Sequence, residues 1–144
     1  MKQREQELNL ALEAMFFGFR AMVHKPDQRL AELGMSRIHH RLLYFIGRNP
    51  GCSISQLLQI LQVSKQYLNR PLKQLIDDKF ILCKVDTIDR RIKRLMLTQR
   101  GLELEEQLTG EQRKRFGEIF QQVGPQAEKS WRQVMQMLAD QIDF

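Results

Sequence analysis

Apolar residues recur along this chain in two rhythms, and the change between them divides it. Leu8, Leu12, Met15, Phe16, Phe19, Met22 and Val23 fall three and four residues apart, one stripe of a helix. This spacing predicts a helix from about Glu5 to Val23, stopped by Pro26-Asp27. A connector with a helical turn over Arg29 to Leu33 leads to Gly34. Ser36 then reads as the N-cap of a second helix through Arg48, with Ile38, Leu42, Phe45 and Ile46 inward. Asn49-Pro50-Gly51 is a turn signal. Ser53 caps a short helix carrying Ile54, Leu57, Leu58 and Leu61. After Gln62-Val63, Ser64 caps another from Lys65 to about Asp78. Two short helices around a tight turn form a helix-turn-helix candidate, a weak signal by itself.

The rhythm then changes. Ile81 to Asp86 and Ile92 to Leu97 are β-type runs around Thr87-Ile88-Asp89-Arg90-Arg91, which predicts a hairpin with a basic tip. Thr98 caps a long helix from Gln99 to about Val123, with Leu102, Leu104, Leu108, Phe116, Ile119, Phe120 and Val123 as scattered apolar positions. Gly124-Pro125 breaks it. A last helix carries Trp131, Val134, Met135 and Leu138 on one side. The expected order is α-α-α-α-β-β-α-α, without repeats or low-complexity segments. A helix-turn-helix followed at once by a basic hairpin is a winged helix, a combination far more specific than either half. The expected fold class is therefore mainly α with a small β-hairpin wing. Residues 1–35 would form an N-terminal dimerisation helix and connector, 36–100 the winged module, and 101–144 C-terminal dimerisation helices.

Charge sharpens this division. The 144 residues hold 23 Lys plus Arg against 17 Asp plus Glu, a net charge of +6. Residues 1–36 are neutral, residues 37–100 carry thirteen basic and four acidic side chains for a net +9, and residues 101–144 carry a net −3. A basic middle between neutral and acidic flanks is the electrostatic footprint of a nucleic-acid binder. The composition, 42% hydrophobic and 28% charged, is that of a globular chain. No apolar run approaches the roughly 20 residues of a membrane span, and the polar N-terminus is not a secretory signal. Two cysteines make no disulfide framework, so a reducing cytoplasm is the expected location.

On a helical wheel of residues 64–78, Leu68, Leu72, Leu75 and Ile76 face the core. Gln66, Asn69, Arg70 and Lys73 share the opposite face. Arg and Lys suit guanine, and Asn and Gln suit adenine, by hydrogen bonds in the major groove. Ser64, Lys65 and the helix N-terminus add phosphate contacts. On the wing, Arg90, Arg91 and Lys93 complete the expected DNA contacts. Pro71 lies inside this helix and removes the hydrogen bond to the carbonyl of Tyr67, so a kink or local loosening is expected.

The wing reads Asp89-Arg90-Arg91-Ile92-Lys93-Arg94-Leu95-Met96-Leu97-Thr98-Gln99-Arg100-Gly101. It resembles the signature of the MarR family of bacterial winged-helix transcription regulators, Asp-x-Arg followed by Leu-Thr-x-x-Gly, at Asp89, Arg91, Leu97, Thr98 and Gly101. The layout of helices agrees across nearly the whole chain. The resemblance implies a homodimer on pseudo-palindromic double-stranded DNA, usually a repressor, with Arg90 or Arg91 entering the minor groove. Asp89 would orient an arginine, a structural role. Family members usually carry Gly between the recognition helix and the first wing strand, where this chain has Lys79. A left-handed residue or a different helix exit is expected there.

Many members of that family are released from DNA by small aromatic molecules, and some by cysteine oxidation. Neither Cys52 nor Cys83 lies in the first helix, where the family's peroxide sensors keep their reactive thiol, and both read as ordinary packed residues. A pocket for an aromatic effector would be lined by Phe16, Phe19, Arg20, Met35, His39 and Tyr44. His39 and His40 are about 100° apart on a helix, which is not metal-ligand spacing, and no metal or cofactor is expected. No phosphate loop or nucleophile elbow occurs, and Glu105-Glu106 reads as a solvated pair, so an enzyme is not expected. The competing function is a winged protein-interaction module that does not read DNA, an alternative motivated by Lys79 and Pro71.

Overall fold

A computed structural model describes residues 1–142. Its helices are α1 (Lys2–Glu32), α2 (Arg37–Arg48), α3 (Ile54–Leu61), α4 (Lys65–Asp77), α5 (Gln99–Val123) and α6 (Pro125–Ala139). The strands are β1 (Cys52–Ser53), β2 (Ile81–Val85) and β3 (Lys93–Leu97), in one antiparallel sheet ordered β1-β3-β2. This is the expected fold class, a mainly helical chain with a small wing. β1 is an addition. Two residues are too few to show a period of two, yet Cys52 pairs with Leu95 and Ser53 with Arg94. The pairing covers the free edge of β3.

The first helix does not stop at Pro26; it continues to Glu32. Proline removes the N–H that would bond to the carbonyl of Met22. In this fold Gln112 Nε2 of α5 donates to that carbonyl at 3.4 Å, and Arg115 Nη1 donates to the carbonyl of Ala21 at 3.1 Å. Gln112 thus satisfies the one carbonyl that Pro26 leaves open, Arg115 adds a second tie one residue earlier, and Pro26 itself is buried. The true stop is Gly34, at φ +67°, with Gly34 N donating to Ala31 O and Met35 N to Leu30 O. This is a Schellman motif, and its apolar pair, Leu30 and Met35, enters the core.

The core sits where α2 crosses between α4 and α5. Leu30, Leu42, Leu43, Ile46, Leu57, Leu68, Leu75, Ile81, Leu95 and Leu108 are fully buried. α2 buries Ile38, Leu42 and Ile46 as its spacing predicts, and also His39 and Leu43, because it is packed on two sides. On α5 the buried face is Gly101, Leu104, Glu105, Leu108 and Thr109, leaving Leu102 exposed. Glu105 therefore departs from the solvated reading. It is 4% exposed, with Arg48 Nη2 3.2 Å from its Oε1. That contact is an ion pair without hydrogen-bond alignment. Glu106 stays in solvent and pairs with Arg113.

Cys52 and Cys83 stand opposite Leu95 on either side of β3. That places them two strand spacings, roughly 10 Å, apart, beyond disulfide reach. Burial pushes the Cys52 thiol up. Among the described residues no helix is long and apolar enough to cross a membrane, and no cluster of metal-ligating side chains is present.

Candidate nucleic-acid interface

Helix α4 begins because Ser64, in extended backbone, accepts a hydrogen bond from Tyr67 N at 3.1 Å through its side chain. The helix runs unbroken through Pro71, which is buried with Leu68, Leu72 and Leu75. Burying that ring offsets the lost backbone bond. On the opposite face Lys65, Gln66, Asn69 and Arg70 are exposed. None of these four side chains has a hydrogen-bond partner among the described residues. Lys73 shares the face, but its Nζ donates to Asp77 Oδ2 at 2.8 Å, which raises its pKa.

The wing tip is built on two carboxylates. Asp86 Oδ2 accepts from the backbone N–H groups of Ile88 (3.2 Å) and Asp89 (2.9 Å), and its Oδ1 accepts from Arg94 Nε (3.3 Å). Asp89 receives the guanidinium of Arg91 through two oxygens at 3.1 Å, and also accepts from Arg91 N. These bonds hold both carboxyls below the usual carboxylate range: for Asp86 chiefly the Asp89 N–H, for Asp89 chiefly the Arg91 side chain. Arg91 is the arginine that Asp89 orients. Arg90 and Lys93 project into solvent with no side-chain partner among the described residues. Asp86 and Arg94 were missed by sequence reasoning. The signal for Asp86 was local: an Asp two and three residues ahead of the N–H groups at a polar turn.

The base of the wing is locked to the end of α4. Lys79 takes the left-handed conformation, φ +67°, which glycine would adopt more readily. Thr98 Oγ1 donates to the carbonyl of Lys79 at 2.5 Å and accepts from Gly101 N at 3.1 Å, capping α5 with the same hydroxyl. Thr98 N donates to the carbonyl of Phe80 at 3.1 Å. Arg100 donates to the carbonyl of Asp78 and stacks over Phe80, 4.2 Å from the ring centroid. A Cβ on Gly101 would lie 2.0 Å from the Phe80 carbonyl oxygen. The Thr-x-x-Gly spacing is thus a packing requirement.

The expected effector pocket is only partly assembled. A cavity of about 230 Å³ lies between α1, α2 and α5, and Phe19 and Tyr44 line it with Asp27, Arg37, His40 and Gln112. Phe16 and Arg20 lie exposed on α1 outside it. His39 is buried on the other side of α2 against α4, and Met35 lines a separate shallow hollow beside Tyr67. Adjacent helical residues diverge by about 100°, so His40, not His39, reaches the cavity. Its Nε2 lies 3.0 Å from Thr109 Oγ1, and burial pushes its pKa down. Arg37 closes one wall, forked onto Asp27 and 5.3 Å from the Phe19 ring centroid.

A model of the MarR family matches residues 33–92. The chain is 39% identical to the HTH-type transcriptional regulator PetP of Rhodobacter capsulatus over 136 residues, covering 94% of this chain and 82% of that protein. Its fold is similar to a MarR-family transcriptional regulator from Silicibacter pomeroyi (TM-score 0.71, 25% identity, 92% and 88% of the two chains). It is likewise similar in fold to MepR of S. aureus in a complex with DNA (TM-score 0.72, 19% identity, 90% and 96%).

Proposed function

The chain belongs to the MarR family of helix-turn-helix transcription regulators, and from that premise we propose that it is a homodimeric repressor reading a pseudo-palindromic operator in the cytoplasm. The observation that carries this reading is the outward face of α4. Lys65, Gln66, Asn69 and Arg70 are exposed and unengaged, so bonding to base edges costs them no internal bond. Residues 36–100 act as the DNA-binding module, and residues 1–35 and 101–144 as the dimerisation arms. A twofold axis would set two α4 helices about one DNA turn, roughly 34 Å, apart.

Arg90 is the arginine that enters the minor groove. Asp89 already neutralises Arg91, whereas Arg90 carries its full charge at the tip. Ser64, Lys65, Lys73 and Lys93 contact phosphates, Lys73 after leaving Asp77. A mobility-shift titration on the DNA flanking its own gene tests this. Arg90→Ala should weaken binding and reduce the salt slope by about 1. Arg91→Ala should act mainly by loosening the wing. Unchanged affinity and salt slope in an Arg90→Ala, Arg91→Ala double variant would sink the wing assignment.

The cavity at Phe19, Tyr44, His40 and Arg37 favours a small aromatic anion, with rings to pack against and the Arg37 guanidinium available at one wall once the anion takes the place of Asp27 on it. A thermal-shift screen of phenolic acids, repeated on Arg37→Gln, tests that effector.

A further inference from the structure

Helix α4 is held to the rest of the chain mainly by apolar packing, and one polar tie stands out against it. Gln74 is the one residue of α4 whose side chain hydrogen-bonds to another element among the described residues. Its Oε1 lies 2.9 Å from His39 Nε2, on α2, and its Nε2 donates to the carbonyl of Gly34 at 3.3 Å. His39 is in turn fixed from behind, because the backbone N–H of Ser36 donates to its Nδ1 at 3.0 Å. A backbone N–H can only donate, so Nδ1 is the acceptor and the ring proton sits on Nε2. The bonds therefore run one way: Ser36 N–H to His39, His39 Nε2–H to Gln74, Gln74 amide to Gly34. His39, the centre of the relay, is buried at 7% exposed, while the Gln74–Gly34 end lies open to solvent.

We propose that His39 and Gln74 are positioning residues for DNA reading, a directional relay that sets how α4 is presented relative to the junction of α1 and α2. This inference rests on α4 being the recognition helix. Apolar contacts alone let a helix rotate and slide by small amounts at little cost. A relay with a fixed tautomer at one end and a turn carbonyl at the other selects one rotation and one height. Base readout needs that selection, whereas phosphate contacts through long lysine and arginine side chains do not. Loss of the relay should therefore cost discrimination between sequences more than affinity for DNA in general.

The chain itself supplies a variant that separates this role from plain stability. At α3 the same capping arrangement uses glutamine: Ser53 N donates to Gln56 Oε1 at 2.9 Å, three residues on. His39→Gln keeps the cap of α2 in that form and breaks the tie to α4. Gln74→Leu breaks the tie from the other side and leaves His39 on its cap. The measurements are amide hydrogen exchange of the free protein, and affinity for a duplex selected from random sequence by the wild type against a scrambled duplex of equal length.

Both variants should exchange faster along α4 but not along α3. The ratio of selected to scrambled affinity should fall about fivefold or more, with scrambled affinity changed less than about twofold. The double variant should lose no more than the larger single loss, since both cut one relay. Unchanged exchange in α4 overturns the relay. Faster exchange with an unchanged ratio, or with equal loss on both duplexes, overturns its role in reading. A wild type that selects no sequence at all overturns the recognition-helix reading beneath it, and the exchange result still decides whether the tie exists.

Discussion

Replacing Gly101 by alanine tests the account of the wing base. The added Cβ would sit 2.0 Å from the Phe80 carbonyl oxygen and 3.0 Å from its carbon. Comfortable contact needs roughly 3.5 Å, so α5 and the start of β2 must part by more than an ångström. The obstacle is backbone and cannot rotate away. It is pinned by Thr98 N to Phe80 O at 3.1 Å and by the Thr98 hydroxyl on Lys79. Overpacking of this kind costs about 1–3 kcal/mol. Straining or losing the two bonds adds about 1 kcal/mol each. The better helix propensity of alanine returns about 1 kcal/mol. The net loss is about 2–4 kcal/mol, or a melting temperature lower by roughly 4–16 °C at this chain length. The paired control is Gly117→Ala in the same helix, where a Cβ meets nothing within 4 Å. That change should leave stability level or raise it by up to about 1 kcal/mol. Circular dichroism during thermal and urea unfolding, at one fixed protein concentration, reads both. A Gly101→Ala protein within about 1 kcal/mol of the wild type would refute the packing argument.

Lys79→Gly should stabilise the protein by about 0.5–1 kcal/mol, since a left-handed lysine costs roughly 1–2 kcal/mol that glycine partly avoids; urea midpoints check this. Burial holds the His40 pKa below its usual 6.5 in the folded chain, so the unfolded chain binds the proton more readily. Stability from this residue is present above pH 6.5 and is lost as pH falls through the lowered value, and His40→Gln should flatten that stretch of the curve. Asp86 and Asp89 are also lowered, from 3.8, so their support of the wing is complete above that value and disappears only in stronger acid. Backbone NMR shifts of Ile88 and Asp89 should therefore stay constant from about pH 7 to pH 5. In Asp86→Ala they should differ already at neutral pH.

Much of the fold was legible because its punctuation is local. Ser53, Ser64 and Thr98 each cap the helix their position predicts, and the change from helical to alternating rhythm marks the wing. Three features were not legible, each for a non-local reason. α1 passes Pro26 because Gln112, 90 positions from Met22, supplies the missing donor. β1 exists because β3 offers it an edge. Glu105 is buried because its place beside Leu104 and Leu108 on the inner face of α5 outweighs its polarity, and Arg48 comes to meet it. Of the DNA-contact candidates, the wheel put Gln66, Asn69, Arg70 and Lys73 on the outward face of α4, and they are exposed there. It could not tell that Lys73 is held by Asp77, or that Asp89 takes Arg91 and leaves Arg90 free. The pocket residues were the least legible, because a cavity between three helices depends on their relative rotation. A one-residue error there exchanges His39 for His40.

The arms pose an energetic problem that a single chain does not solve. α6 buries none of its residues, and Phe116, Phe120 and Trp131 cluster with ring centroids 5.1–5.7 Å apart while Trp131 remains 42% exposed. Along α1 Phe16, Phe17 and Phe19 are about half exposed. A helix of this length with no buried residue is marginal in water, and an apolar surface of this extent calls for a cover. In the proposed homodimer the second copy supplies it, so arm folding and association become one event. Raising protein concentration a hundredfold then stabilises the dimer by about 2.7 kcal/mol. With roughly 2 cal/mol/K of unfolding entropy per residue over both chains, the melting temperature should rise by about 4–5 °C. A melting temperature independent of concentration over that range would mean that the arms are stable alone, and the twofold arrangement of two α4 helices would lose its support.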